Sequence, residues 1–253
     1  MRHVSIIGIG AGDPEQVTVQ AIRAMNAVDV FFVISKGGDT DDLVALRREI
    51  LQRYVEGDGY RTVEVVDPPR ARSADAHRAV VDDWRQRRAD QWERLIGDEL
   101  ADGQRGAFLV WGDPAIYDST LGVIDDVLAR GNVAFEHDVI PGISSVQDLA
   151  ARHRIGLNQV GGTIRITPGR RLAEQFADGE DVVVMLDAKL AFARIDDPDA
   201  EIYWGAYIGS PDQILISGRL ADVKDEIVRV RAQARERKGW IFDTYLVRRP
   251  AGG

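Results

Sequence analysis

The sequence predicts an α/β protein of two domains, with a mainly parallel N-terminal sheet and a mixed C-terminal sheet. In the first half, short apolar runs alternate with segments of helical periodicity, a pattern typical of a parallel sheet flanked by helices. The second half has more strand-like segments, two of them joined by the tight turn Gly209-Ser210-Pro211-Asp212, which favours a mixed sheet. Glycine-containing loops also follow three predicted strands. We place the domain boundary near Gly131, giving domains 1–130 and 131–253.

The elements of the first half follow from apolar spacing and helix-start residues. Val17, Ala21, Ala24 and Val28 recur at helical spacing, and acidic residues at 41 and 42 suit the positive end of a helix dipole. Short buried runs that end in glycine or polar residues indicate strands. We expect strands at 3–9, 29–35, 62–66, 107–111 and 133–139, and helices at 17–28, 41–54, 73–100 and 120–129.

The second half is interpreted by the same rules. Ser144 is a natural first residue for a helix, and the segment 221–236 has helical periodicity. The predicted helices are therefore 144–153 and 221–236, and the predicted strands are 163–167, 181–186, 202–208, 213–217 and 241–247.

Composition excludes several classes of protein. The chain has 253 residues, of which 45% are hydrophobic, enough for a substantial core, yet no apolar run reaches the length of a membrane span. The segment 1–5 leads straight into a strand and lacks the features of a signal peptide. The absence of cysteine excludes disulfides, thiolate metal sites and a cysteine nucleophile. Together these observations predict a cytoplasmic protein with no membrane partner.

Charge argues against a nucleic-acid partner. The formal net charge is −9, whereas nucleic acids attract proteins that neutralise phosphates. We interpret two basic clusters that lie among acids, at 70–72 and 85–88, as solvent-exposed faces. The four histidines show no metal-ligand spacing, and we predict no metal.

The first glycine loop, residues 8–15, follows the first predicted strand. Its glycines permit close approach of a ligand or of another backbone segment. It is not a dinucleotide fingerprint, because Asp13 stands where the third glycine belongs and Ser35-Lys36 stands where an acid should end the second strand. The P-loop lysine is also missing. By itself, the loop could equally be a structural turn.

The second and third loops, residues 111–120 and 139–146, follow later strands. Open α/β sheets bind ligands at the carboxyl ends of their strands, which makes Asp113 a candidate ligand group. The alternative is that Asp113 only shapes its turn. In the third loop, Pro141-Gly142 forms a turn and Ser144 can cap the next helix without any further role.

Taken together and in this order, the three loops resemble the tetrapyrrole methylase family. The family pattern is Gly-x-Gly-x-Gly-Asp-Pro, then Gly-Asp-Pro-x-x-Tyr or Phe, then Pro-Gly-x-Ser-Ser, and Thr18 also stands where the family has threonine. The resemblance covers the full length. The chain departs from the family at three places: Ala11 replaces proline, Gln20 replaces lysine, and Gly239-Trp240 replaces Ser/Thr-Pro before the last strand.

The resemblance implies two α/β domains with a cofactor in the cleft between them, commonly in a homodimer. The implied methyl donor is S-adenosyl-L-methionine, with S-adenosyl-L-homocysteine as product, and the implied substrate is a small-molecule tetrapyrrole. Gly10 and Asp13 would border the substrate side. The residues implied to line the cofactor are Gly112, Asp113, Ile116, Ser144, Ser145, Met185, Leu186, Ala206 and Tyr207.

A narrower resemblance, to a deacetylating member of the family, implies methylation of C1 of precorrin-5 with release of acetate. For this reaction Asp13 is a candidate for positioning water and Tyr117 a candidate oxyanion donor; the alternative is that Asp13 anchors its turn and Tyr117 packs under the cofactor. Arg170 and Arg171 are candidates for binding substrate carboxylates, or else form a surface pair. The segments that carry this resemblance are 110–114, 117–121, 169–172, 184–187 and 203–207.

Two other classes of function remain open on these residues. A methyltransferase of the same fold could act on a different precorrin, a protein residue or RNA. A metabolite-binding module could bind a ligand without transferring a group.

Overall fold

The computed structural model describes residues 1–35, 41–69, 77–177 and 179–250. The chain separates into two compact units, Met1–Ile143 and Ser144–Gly253. The boundary therefore lies after Ile143, not after residue 130 as predicted. The reason is strand pairing, because the strand Phe135–Ile140 pairs in parallel with the strand Arg2–Gly8 and so completes the first sheet.

The first unit is built on a five-stranded sheet in the order β3-β2-β4-β1-β5, in which every neighbouring pair is parallel. This confirms the predicted parallel sheet. The elements are β1 (Arg2–Gly8), α1 (Val19–Met25), β2 (Val30–Ser35), α2 (Asp41–Tyr54), β3 (Arg61–Val66), α3 (His77–Glu99), β4 (Arg105–Val110), α4 (Thr120–Arg130) and β5 (Phe135–Ile140).

Alternating side chains let the first sheet bury both of its faces. Val4 and Ile6 of β1 face the core that includes α3 and α4, where Trp92 stacks on Phe108 at a centroid distance of 4.1 Å. Ile7, on the opposite face, belongs to the core that includes α1 and α2. The central strands are thereby held rigidly, and their carboxyl ends can support loops.

The second unit contains a mixed sheet in the order β6-β7-β10-β8-β9, as predicted. β6 and β7 are parallel, whereas β10 runs antiparallel to both β7 and β8, and β8 runs antiparallel to β9. The elements are α5 (Ser145–His153), β6 (Ile164–Pro168), α6 (Leu172–Ala177), β7 (Asp181–Met185), β8 (Glu201–Ala206), β9 (Ile214–Arg219), α7 (Leu220–Lys238) and β10 (Asp243–Arg248).

Several element ends differ from the prediction for local reasons. α1 starts at Val19 because the Thr18 hydroxyl accepts a hydrogen bond from the Ala21 amide at 3.0 Å. β8 stops at Ala206 because Tyr207 has a left-handed backbone with φ of 49°. The short helix α6 was not predicted; six residues are too few for a periodic pattern.

One residue of the basic cluster at 85–88 departs from the solvent-exposed face that was predicted. Arg88 is only 8% exposed; its Nε lies 2.7 Å from Oδ1 of Asp67, and it donates to the Ser119 hydroxyl at 2.6 Å. The rings of Trp84 and Trp92 flank its guanidinium. Burial lowers the pKa of Arg88. The periodicity of α3 could not reveal a partner that lies directly after β3. The cluster at 70–72 lies outside the described residues.

Candidate functional site

The three glycine loops arise at the carboxyl ends of adjacent strands. β1 lies between β4 and β5 in the sheet, so the loops that follow these strands start side by side. Gly10 and Gly112 form an antiparallel bridge, in which the Gly112 amide donates to the Gly10 carbonyl at 2.8 Å. Both have left-handed backbones, with φ of 86° and 69°. These backbone conformations favour glycine at both positions.

The third loop approaches the other two so closely that side chains are excluded. A Cβ on Gly142 would lie 2.1 Å from the Gly112 carbonyl oxygen and 2.8 Å from the Gly8 carbonyl carbon. A Cβ on Gly8 would likewise lie 2.5 Å from the Gly142 nitrogen. The three loops thus interlock through backbone contacts. The sequence of each loop, taken alone, did not indicate these contacts.

Asp113 connects the second loop to the third. Its Oδ1 accepts from the Ala115 amide at 2.8 Å, and its Oδ2 accepts from the Gly142 amide at 2.9 Å. The carboxylate therefore shapes its own turn and also holds the neighbouring loop. Each oxygen has further acceptor capacity, because an ionised carboxylate offers about four lone-pair sites.

The other predicted site residues of these loops differ in their contacts and in their exposure. Asp13 accepts from the Glu15 amide at 2.9 Å and so caps the short 3₁₀ helix Pro14–Gln16. Ile116 is half-buried. Tyr117 is 46% exposed and has a left-handed backbone with φ of 51°. A strained, exposed tyrosine at a strand's carboxyl edge is a typical feature of functional sites.

Two arginines lie beneath the second loop. Arg47 donates to the carbonyl of Leu109 at 3.0 Å, and burial lowers its pKa to about 10, so that it stays charged at neutral pH. Arg88 contacts Ser119 as described above. Both arginines interact electrostatically with Asp118, which in turn accepts from the Thr120 amide at 2.6 Å. The loop is therefore anchored by charge as well as by backbone contact.

In the second unit, most of the predicted cofactor residues gather at one edge of the sheet. Met185 pairs with Thr244, which pairs with Gly205, so that β7 and β8 end together. The Ser145 hydroxyl lies 3.0 Å from that of Thr244, which brings α5 to the same edge. Ser144 is buried in a capping box with Gln147. Thr244 is a member of this group that the sequence did not identify.

Two residues at this edge have unusual backbones. Leu186 has φ of 58° and is 62% exposed, an uncommon state for a large apolar side chain. Tyr207 also has a left-handed backbone, but its ring is buried and its hydroxyl donates to the Trp240 carbonyl at 2.6 Å. Burial raises the pKa of that hydroxyl. Ala206 is fully buried. The Tyr207 hydroxyl is therefore engaged within the unit.

Arg170 and Arg171 lie in the 3₁₀ helix Gly169–Arg171, directly after β6 and at the same sheet edge. Both are exposed, and Arg171 donates to Glu174 at 3.1 Å. Arg170 is therefore the better placed of the two to reach an anionic ligand.

The described residues offer neither a metal site nor a membrane-spanning helix. Across the described ranges, no group of three or more His, Asp or Glu side chains is placed to share a metal ion. None of the helices in the described part of the chain is long and apolar enough to cross a membrane.

Comparison with known proteins yields clear similarities. Residues 3–224 match the family described as Tetrapyrrole (Corrin/Porphyrin) Methylases. The chain is 52% identical over 252 residues to precorrin-6A synthase [deacetylating] of Sinorhizobium sp, covering 99% of this chain and 97% of that protein. A solved cobalamin synthesis related protein, CobF of Corynebacterium diphtheriae, is 34% identical with a TM-score of 0.85, covering 98% and 99%. Uroporphyrin-III C-methyltransferase of Thermus thermophilus, complexed with S-adenyl homocysteine, is 18% identical with a TM-score of 0.59, covering 97% and 92%, a likeness of fold alone.

Proposed function

Because the chain belongs to the tetrapyrrole (corrin/porphyrin) methylase family, we propose that it methylates C1 of precorrin-5, using S-adenosylmethionine, and releases acetate to give precorrin-6A. The observation that carries this proposal is the near-full-length similarity to precorrin-6A synthase. The exposed, strained residues at the carboxyl edges of both sheets support it, because they offer polar and backbone groups to a ligand.

The cofactor residues of each unit are assigned to S-adenosylmethionine. In the first unit, the free lone pairs of Asp113 suit a hydroxyl or ammonium group, and Gly112 and Ile116 supply backbone and apolar contact. In the second unit, the groups at the sheet edge that could contact the cofactor are apolar side chains, hydroxyls and backbone atoms. The residues assigned there are Ser144, Ser145, Met185, Leu186, Ala206 and Tyr207.

When bound, the cofactor supplies an electrophilic methyl group on its sulfonium. The protein's task is therefore to hold that methyl in line with a carbon nucleophile and to exclude water. Such orientation can contribute up to about 7–11 kcal/mol. The interlocked loops suit this role because their backbone contacts leave little freedom to Gly112 and Asp113.

The substrate carbon poses a separate problem. A saturated C1 that bears an acetyl group has no electron pair with which to attack a methyl group. Water must first add to the acetyl carbonyl; the bond between C1 and that carbonyl carbon then breaks, acetic acid leaves, and the electron pair stays on C1. We assign Asp13 to position the water and Tyr117 to donate to the developing oxyanion. Gly10, which lies in the same loop as Asp13, is also assigned to the substrate side of the site.

The first test is a direct assay of the purified chain with methyl-labelled S-adenosylmethionine and precorrin-5. We expect label in the tetrapyrrole and one acetate released per methyl transferred. Methylation without acetate contradicts the deacetylating assignment. Labelling of another precorrin, a protein or RNA instead supports the first alternative, and cofactor binding without any transfer supports a binding module.

Tyr117→Phe tests the proposed donor, because it keeps the ring and removes the hydroxyl. We expect turnover to fall by about 10²-fold, as when an oxyanion donor is lost, while the Kd for S-adenosylhomocysteine stays unchanged. Steady-state kinetics and calorimetry measure the two quantities. Full activity in this variant would assign Tyr117 to packing alone.

Arg170→Ala tests the proposed contact with the substrate's carboxylates. We expect the KM for the tetrapyrrole to rise by about tenfold, the loss of one charged hydrogen bond, with kcat retained. Arg171→Ala should have the smaller effect, since Arg171 already bonds Glu174. The matched control is Arg229→Ala, an exposed arginine on α7. A KM equal to that of the control in both variants refutes the assignment.

We further propose that the protein is a cytoplasmic homodimer, as the family resemblance implies. Sedimentation velocity decides the assembly: a single species near the 28.0 kDa of one chain contradicts it.

A further inference from the structure

Asp187 is a buried carboxylate to which the proposed reaction assigns no role. It lies two residues after β7 and is 4% exposed. Its Oδ2 accepts from the Ala191 amide and from the Tyr245 hydroxyl, each at 2.6 Å, and its Oδ1 accepts from the Lys189 amide at 3.1 Å. The carboxylate is therefore the acceptor in all three of these hydrogen bonds.

These hydrogen bonds determine the path of the chain after β7. Leu186 and Leu190 both have left-handed backbones, with φ of 58° and 53°. Such conformations cost about 1–3 kcal/mol each and persist only where the surrounding structure imposes them. The hydrogen bonds that the Lys189 and Ala191 amides donate to Asp187 impose the turn, and thereby hold Leu186 in its exposed position.

The same carboxylate supports the turn that carries the two arginines. A Cβ on Gly169 would lie 2.4 Å from Cγ of Asp187, so the backbone of Gly169 packs directly against the carboxylate. Arg170 and Arg171 follow at once. A shift of the Asp187 side chain would therefore move both turns together.

A second carboxylate links this arrangement to β8. Arg231 donates to the backbone carbonyl of Asp187 at 3.0 Å and to Oδ2 of Asp243 at 2.8 Å. Asp243 pairs in register with Ala206 and also accepts from the Trp204 indole at 3.1 Å. The loop after β7 and the end of β8 are thus held by one buried network.

We propose that Asp187 is a positioning residue that sets the cofactor segment Met185-Leu186 and the arginine turn Gly169–Arg171 in one arrangement. The inference rests on the proposed function, because it takes these two segments to be the cofactor and substrate contacts. It requires cofactor affinity and tetrapyrrole KM to change together when the Asp187 carboxylate is altered, although Asp187 itself touches neither ligand.

The chain offers a matched control in Asp181, a carboxylate at the other end of β7. Asp181 is 5% exposed and accepts from the backbone amide and the side-chain amide of Gln159, at 3.0 and 3.1 Å. Asp181→Asn and Asp187→Asn remove equally buried charges from the same unit, but only Asp187 lies at the edge where the predicted site residues gather. A purely structural role for Asp187 predicts the same behaviour for both variants.

The experiment measures Tm, the Kd for S-adenosylhomocysteine by calorimetry, and the KM for the tetrapyrrole. We expect both asparagine variants to lower Tm, and Asp187→Asn alone to raise Kd and KM by about tenfold or more. Tyr245→Phe, which removes only one donor to Asp187, should raise both by a smaller factor and serves if Asp187→Asn does not fold.

Equal Kd values in Asp187→Asn and the parent overturn the inference, as does an equal rise in Asp181→Asn. If Asp187→Asn does not fold, parental Kd and KM in Tyr245→Phe overturn it. A parent chain that binds no S-adenosylhomocysteine overturns the proposed function and this inference together, and that result is evident before any variant is compared.

Discussion

Gly142→Ala is expected to lower the free energy of unfolding by about 3 kcal/mol and turnover by about 10²-fold. The added methyl would stand 2.1 Å from the Gly112 carbonyl oxygen, and the neighbouring atoms of Gly8 are also backbone. No side chain can rotate away, so the loops themselves must separate. Separation would also stretch the hydrogen bond from the Gly142 amide to Asp113.

Gly122→Ala is the matched control for this prediction. Gly122 lies within α4, where an added Cβ would meet only the Arg85 guanidinium, at 3.7 Å. Alanine there should be neutral or should stabilise by up to about 1 kcal/mol, since glycine is the poorer helix former. Urea unfolding and steady-state turnover give the two quantities. Parental turnover in a folded Gly142→Ala variant would show that the interlocked loops do not position the reacting groups.

Arg231→Met is expected to destabilise the protein by about 3–5 kcal/mol, the usual effect of removing one partner of a buried ion pair. The Arg231 and Asp243 side chains are 9% and 5% exposed, and Nε of Arg231 lies 2.8 Å from Oδ2 of Asp243. Methionine fills much of the volume but leaves the carboxylate buried without its cation. Most of the loss is therefore electrostatic.

A second substitution separates this explanation from lost packing. Asp243→Asn, added to Arg231→Met, removes the buried charge together with its partner, so the double variant should be less destabilised than Arg231→Met alone. Urea unfolding of the two variants and the parent measures the difference. Arg229→Met, an exposed substitution on the same helix, should change stability by less than about 0.5 kcal/mol. A double variant that is no more stable than Arg231→Met contradicts the electrostatic account.

Local features of the sequence were sufficient to predict most of the fold. Alternating apolar runs indicated the strands of both sheets, and Ser144 marked a helix start that its side chain does cap. The order of the three glycine loops pointed to the family that the comparisons show. These features act over a few residues, through backbone sterics, capping and periodicity, and a sequence displays them directly.

Contacts between residues far apart in the chain were decided by the tertiary structure alone. The sequence did not indicate that Asp113 would hold Gly142, that Arg88 would be buried against Asp67, or that Asp187 would support Gly169. The unit boundary moved for the same reason, since β5 joins the first sheet through its pairing with β1. Each contact depends on strand order and register, which bring together residues that local periodicity does not relate. The sequence by itself thus determined the elements and the loops that carry the chemistry, and the register of the sheets decided which polar groups meet within each unit.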